Sequence, residues 1–316
     1  MIGPGEVPKI LRECKMTRCN VSITALLLAT LIVPMAAQRE IPDDNLAYPV
    51  LITMGSSSGS GFFLTNGSSM WLVTAKHVLC NPQNQSLLET HAILRSYSKD
   101  PNDPNPNILE LDLAALDRNG DVKRHPSQDV IAVKLFDLKD IPPAPTQADQ
   151  PAPANTPPQP TQTKPFTMSA HAGVRVVNSA TAGFLTVDPT TAITFDKILT
   201  GNDVIMFGYP VSLRLQQLPQ LDLNRPLLRK GIVAGTNPAM KSVILDCPAY
   251  FGDSGGPVIE IDHPSFGVTT FRVIGVVLDY VPFIQTGQAP TMVLSLWSNS
   301  GYSIIAPMDF VFELVN

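Results

Sequence analysis

Charge is scarce in this sequence. Only 16% of its 316 residues are Asp, Glu, Lys or Arg, and 27 acidic residues outnumber 22 basic ones, leaving a net charge of -5. Without a basic surplus there is no electrostatic footprint for a polyphosphate or an anionic lipid, so nucleic acid is set aside as a partner. Aromatics are few as well, at 7%, whereas prolines number 30 and glycines 20, a balance that belongs to turn-rich β domains rather than helical ones. Of four cysteines, Cys14 and Cys19 lie near the N-terminus, so the body of the chain holds only Cys80 and Cys247. That excludes a disulfide framework. The two are read as isolated buried thiols, with a single bridge as the alternative in an oxidising compartment. No Cys/His spacing suits zinc, and neither metal nor cofactor is expected.

Long apolar runs are absent after the N-terminal region, so no membrane association is expected of the mature protein. The run that does occur, Val21 to Val33, follows Lys15 and Arg18 and precedes the small residues of Pro34-Met35-Ala36-Ala37. It is shorter than the roughly 20 residues needed to span a bilayer. Residues 1–37 are therefore expected to be a signal peptide, with a retained anchor as the alternative, and the protein to be secreted or periplasmic.

The remainder divides in two. From residue 46 to 140, short runs such as Val50-Leu51-Ile52, Gly61-Phe62-Phe63-Leu64, Met70-Trp71-Leu72-Val73 and Val130-Ile131-Ala132-Val133 have strand length and no helical period. Residues 141–168 are rich in Pro, Gln, Thr and Ala and read as an extended linker between domains. In 169–316, strand signals return at Gly173–Val177, Ala192–Phe195, Val204–Phe207, Gly231–Ala234, Val243–Leu245, Pro257–Ile261 and Phe271–Leu278. Met308 to Leu314, after a proline, has helical spacing and is expected to close the chain as a short helix. The fold class is all-β.

Three segments carry chemistry. His77 follows an apolar strand that ends in Thr74-Ala75-Lys76, where an imidazole could be held at a strand edge and exchange protons near neutrality. Asp129 opens the apolar strand Val130–Val133 and could accept from an imidazole. Either residue alone would more readily be structural. Gly252-Asp253-Ser254-Gly255-Gly256-Pro257 is more specific, because glycines on both sides of a serine allow a strained turn whose N–H groups converge on one point.

These motifs, in this order, resemble those of the trypsin/chymotrypsin-like serine peptidases, especially bacterial secreted and periplasmic members. The likeness extends from Tyr48 to Leu314, and Gly59-Ser60-Gly61-Phe62 resembles the family's strand beside the active site. It implies two six-stranded antiparallel β-barrels, His77 and Asp129 on the first and Ser254 on the second. It also implies that Ser254 is a nucleophile, His77 its base, Asp129 the orienting acid, and the N–H groups of Gly252 and Ser254 an oxyanion hole. The substrate would be a protein or peptide.

The sequence departs from the family in places. Lys76 stands where a small residue is usual, and no cysteine adjoins His77 to form the family's disulfide. The pocket segment with Pro248 and Ala249 lacks an acidic floor, and Leu278 occupies a wall position usually held by serine, so a neutral or apolar first-site preference is expected. No Arg followed by an Ile-Val-Gly-Gly-like start precedes Tyr48, so insertion of a new N-terminus is not expected to activate the protein. Gly252 to Gly256 also fits the esterase pattern G-x-S-x-G, but that fold needs a histidine well after the serine, and only His263 follows, nine residues on. A catalytically silent binding module on the same fold is the remaining alternative.

Overall fold

The structure is a computed structural model that describes residues 41, 48–55, 57–98, 103–140, 166–180, 183–210, 219–222, 225–265, 268–289 and 292–316. The expected signal peptide and residues 141–165 of the Pro-rich stretch lie outside the described residues. From Tyr48 onward the described residues belong to one compact unit, Asp43–Asn316.

Strands β1 (Pro49–Met54), β2 (Ser57–Thr65) and β3 (Ser69–Ala75) lead into the helical turn α1 (Lys76–Leu79). Next come β4 (His91–Ser96), β5 (Asn107–Asp112), helix α2 (Leu113–Arg118), β6 (Val122–Arg124), β7 (Val130–Asp140), β8 (Phe166–Ala170) and β9 (Val174–Asn178). Together the strands make a nine-stranded sheet in the order β6-β7-β3-β2-β1-β4-β5-β9, with β8 on the edge of β7. The period of two is plain in β5, where Asn107, Leu109 and Leu111 are buried and the residues between them are not. At the centre, every residue of β3 is buried, which suits its unbroken apolar run. Val50, Ile52, Phe63, Leu72, Leu94, Leu109, Ile131 and Val133 build the core beneath. Each such side chain is worth about 1.5–3 kcal/mol of apolar burial.

The second half comprises β10 (Asp203–Gly208), β11 (Leu227–Asn237), β12 (Ser242–Asp246), β13 (Pro257–Ser265), β14 (Val268–Ala289) and β15 (Met292–Pro307). These six close into a barrel in the order β10-β11-β12-β15-β14-β13, filled by Val204, Met206, Val233, Val243, Leu245, Val258, Ile274 and Ile305. Beyond the barrel, β14 and β15 run on as a two-stranded arm from the pair Pro282/Asn299 to Ala289/Met292, exposing Phe283, Ile284, Leu296 and Trp297. Helix α3 (Met308–Val315) buries Met308, Phe310, Val311 and Val315.

All-β architecture and the C-terminal helix follow the sequence. Several details do not. The sequence places 141–168 in a linker and 169 onward in the second domain, yet β8 pairs with β7 and β9 with β5, so residues 166–178 complete the first sheet. Asp140 faces Phe166 across an antiparallel pair, and the Pro-rich stretch therefore joins two strands of one sheet rather than two domains. Ala192–Phe195 is not a strand: two single 3-10 turns, Pro189–Thr191 and Phe195–Lys197, flank an isolated bridge from Ala192 to Val273. Asp188 caps the first of these turns by accepting from the Thr190 N–H. Cys80 and Cys247 are free and buried.

Candidate active site

The histidine side is built by one carboxylate. Strand β3 ends at Ala75 in extended geometry, and α1 turns the chain so that His77 lies one residue into a helical turn. Asp129 sits immediately before β7, which pairs with β3 through Ala75 and Val130. Its Oδ1 accepts the His77 backbone N–H at 2.9 Å and its Oδ2 meets His77 Nδ1 at 2.5 Å. A carboxylate can only accept, so Nδ1 carries a proton, and in the neutral ring Nε2 keeps its lone pair. Burial pushes the His77 pKa down, but the hydrogen bond His77 donates to Asp129, the charge of Asp129 and that of Asp279 outweigh this, leaving the pKa above its ordinary value.

The loop before Asp129 is fixed by His125, a residue that the sequence reading passed over. His125 Nδ1 accepts the N–H groups of Ser127 and Gln128, at 3.3 and 2.9 Å, while Nε2 donates to Glu313 of α3 at 2.9 Å. Lys76 donates its Nζ to the His125 carbonyl at 2.8 Å. The unusual lysine beside His77 thus ties α1 to the Asp129 loop.

The serine side is a turn of alternately clamped peptides. Gly252 and Gly255 have φ of +100° and +88°, conformations open to glycine at little cost. A Cβ on Gly255 would also stand 2.0 Å from Thr74 Oγ1 and 2.1 Å from the Ser60 carbonyl, so the turn presses directly on β2 and the end of β3. The Asp253 N–H donates to Tyr250 O at 2.9 Å, Gly256 N–H to Asp253 O at 2.9 Å, and Gly255 N–H to Val277 O at 2.7 Å. Among the described residues, the N–H groups of Gly252 and Ser254 have no protein acceptor. Ser254 Oγ donates to the Leu278 carbonyl at 3.1 Å.

Beneath this turn lies Asp253, fully buried. Its Oδ2 accepts the Tyr250 N–H at 2.8 Å and stands 2.8 Å from Arg229 Nη1 of β11. The Arg229 guanidinium also lies over the Tyr250 ring, 5.0 Å from its centroid. Among the described residues neither Nη group makes a hydrogen bond and Asp253 Oδ1 has no partner, so the pairing is Coulombic. Burial raises the Asp253 pKa to about 6, with Arg229 and the Tyr250 N–H only partly opposing it.

Two of the expected pocket residues turn elsewhere. Ala249 is buried in the second barrel's core. Leu278 packs its side chain on the core of the first half, and only its carbonyl meets Ser254. For Leu278 the cause is a register shift in β14 between Val277 and Asp279, which a linear pattern does not specify. Pro248 is partly exposed, and Phe251 is 66% exposed and makes an edge contact with Tyr280 at 5.8 Å.

Residues 59–268, a span that includes His77, Asp129 and Ser254, match the family described as the trypsin-like peptidase domain. The chain belongs to that family. No curated protein matches it. Among solved structures, it is similar to the HtrA-type protease AlgW with tripeptide, at 13% identity and a TM-score of 0.42, covering 85% of this chain and 58% of that one. Deg5 is similar at 14% identity and a TM-score of 0.44, covering 85% of this chain and 88% of that one.

Within this trypsin-like peptidase domain, the structure brings the three motif segments together at the junction of its halves. It adds Arg229, Ser60, Thr74, His125 and Asp279, which the sequence reading did not assign to the site. A buried aspartate before the serine needs a cation, and that requirement was a usable signal for Arg229. Among the described residues no His/Cys/Asp/Glu group could hold a metal ion. A cavity of about 490 Å³ lined by His91, Ile93, Glu110 and Arg175 lies on β4, β5 and β9 and shares no residue with the site.

Proposed function

We propose that this protein is a serine endopeptidase that hydrolyses peptide bonds through an acyl-enzyme. The observation that carries the reading is the Asp129 carboxylate, which takes both the backbone N–H and the Nδ1–H of His77 and leaves Nε2 as a base. Ser254 Oγ attacks the scissile carbonyl carbon while His77 Nε2 takes its proton. The oxyanion that forms is received by the N–H groups of Gly252 and Ser254, which have no acceptor among the described residues. Collapse breaks the C–N bond, with His77 returning the proton to the leaving amine. Water then repeats the sequence on the acyl-serine.

Substrates are proteins or peptides with a neutral or apolar residue before the scissile bond, because the surface beside the turn carries exposed Phe251 in edge contact with half-buried Tyr280. Cleavage of a peptide library tests this preference, and efficient cuts after Arg would refute it. Export to the cell exterior or periplasm is part of the proposal and rests on the Lys15, Arg18 and Val21–Val33 pattern. N-terminal sequencing of the protein from cells checks it.

One observation favours the alternative of a silent binding module: the Ser254 hydroxyl donates to Leu278 O, not to His77. For the enzyme reading this is a resting rotamer, left by one χ1 rotation. A fluorophosphonate probe decides between them. The enzyme labels at Ser254, and Ser254→Ala does not; an unlabelled, folded wild type leaves the binding module standing.

A further inference from the structure

We infer that Ser60 is a positioning residue that holds the two oxyanion donors in place, an inference that rests on the peptidase reading. Ser60 lies in β2 and is completely buried. Its partner strand β3 pairs with β2 only from Phe62/Val73 to Thr65/Met70, so the edge of Ser60 on that side is outside the ladder. The nucleophile turn takes that place. Ser60 N–H donates to Ser254 O at 2.9 Å, and its carbonyl accepts from Thr74 Oγ1 at 2.6 Å. Its Oγ donates to Gly252 O at 2.6 Å and accepts the Tyr209 N–H at 3.0 Å.

The carbonyls that Ser60 binds belong to Gly252 and Ser254, the residues whose N–H groups are the proposed donors. Peptide units are rigid planes, and the turn can be followed plane by plane. The Gly252–Asp253 plane is held on both sides, its oxygen by Ser60 Oγ and its N–H by Tyr250 O. The Ser254–Gly255 plane is held on both sides too, its oxygen by the Ser60 N–H and its N–H by Val277 O. The Ser254 donor lies on the plane between these two. The Gly252 donor lies on the plane just before them and depends on the first clamp alone. Gly252 has no Cβ to resist rotation, so without the Ser60 hydroxyl that donor can swing out of line.

A donor out of line costs catalysis rather than binding. Removing one such donor lowers kcat by about 10²–10³-fold in enzymes of this kind. Ser60→Ala keeps the strand and deletes only the hydroxyl. The expected result is a fall of at least about tenfold in kcat and in the rate of fluorophosphonate labelling, with KM within about twofold of wild type. Ser60→Cys, which keeps a weak donor in the same place, falls between the two. Wild type and Ser254→Ala are run beside them: labelling of the first and not the second upholds the peptidase reading, so that a failure of Ser60 to matter is seen separately. The inference is overturned if folded Ser60→Ala keeps kcat within about threefold of wild type, or if KM rises while kcat holds. If Ser60→Ala gives no cooperative melt, Ser60→Cys is judged against wild type by the same criteria. A wild type that does not label overturns the inference together with the function on which it rests.

Discussion

Two aspartates serve the two sides of the site, and the protein treats them oppositely. Asp129, beside the histidine, has a side chain 34% exposed and spends both oxygens on one residue, His77. Asp253, beside the serine, is fully buried, faces Arg229 through one oxygen and leaves the other without a partner among the described residues. The first carboxylate stays in contact with solvent. The second must be charged against its surroundings. The histidine side is thus a device for chemistry that tolerates change in stability, and the serine side is structural before it is chemical.

The largest effect expected is on rate alone. Ser254→Ala and His77→Ala should each lower kcat by about a millionfold, and Asp129→Asn by about ten-thousandfold through the wrong His77 tautomer. Because Asp129 is solvated, its variant should melt within a few degrees of wild type by calorimetry. A large loss of melting temperature would break the contrast between the two aspartates.

Next in size is Arg229→Met, which strands the Asp253 charge. Urea titration at pH 8 should show a loss of about 3 kcal/mol, shrinking near pH 5, where Asp253 takes a proton. Asp253 also gives wild type a signed pH dependence. Its pKa is about 6 when folded, against 3.8 for an unperturbed aspartate. The folded state binds the proton more tightly, so this stabilising contribution is full below about pH 4 and is lost as pH rises through about 6. Asp253→Asn should flatten that slope.

Activity runs the other way with pH. His77 must be neutral to act, and its raised pKa means that kcat/KM should climb through a value above 6.5 in a pH-rate profile. Asp279→Asn removes one of the charges that raise it and should move the profile to lower pH by a fraction of a unit. The smallest effect expected is that of Lys76→Met, which deletes one bond to the His125 carbonyl. It should cost about 1 kcal/mol and less than tenfold in kcat. A larger fall in kcat would show that the histidine side depends on its loop as strictly as the serine side depends on its turn.

The three motif residues were legible because chemistry fixes their types, and glycines at 252 and 255 because two positive φ angles leave few other choices. Strands β4 and β5 were missed, although both alternate buried and less buried positions. What could not be read from the line of residues was anything set by register between distant strands. Arg229 meets Asp253 only because the barrel folds β11 beside β10 and β10 beside β13. Leu278 turns to the first half's core where the β14–β15 register shifts between Val277 and Asp279, and Ser60 reveals its role only once β2 is seen to end its pairing with β3 two residues later. Composition misplaced the domain boundary because a Pro-rich stretch marks a detour of the chain and does not say what lies on either side.

That detour has a consequence of its own. Asp140 and Phe166 are opposite one another at the mouth of a hairpin, so whatever joins them begins and ends at nearly the same point. Lengthening such a connection twofold costs only about 0.6 kcal/mol. The edge of the first sheet is therefore a port at which sequence can be added, shortened or exchanged for a foreign module, while the strands that carry the chemistry stay in place.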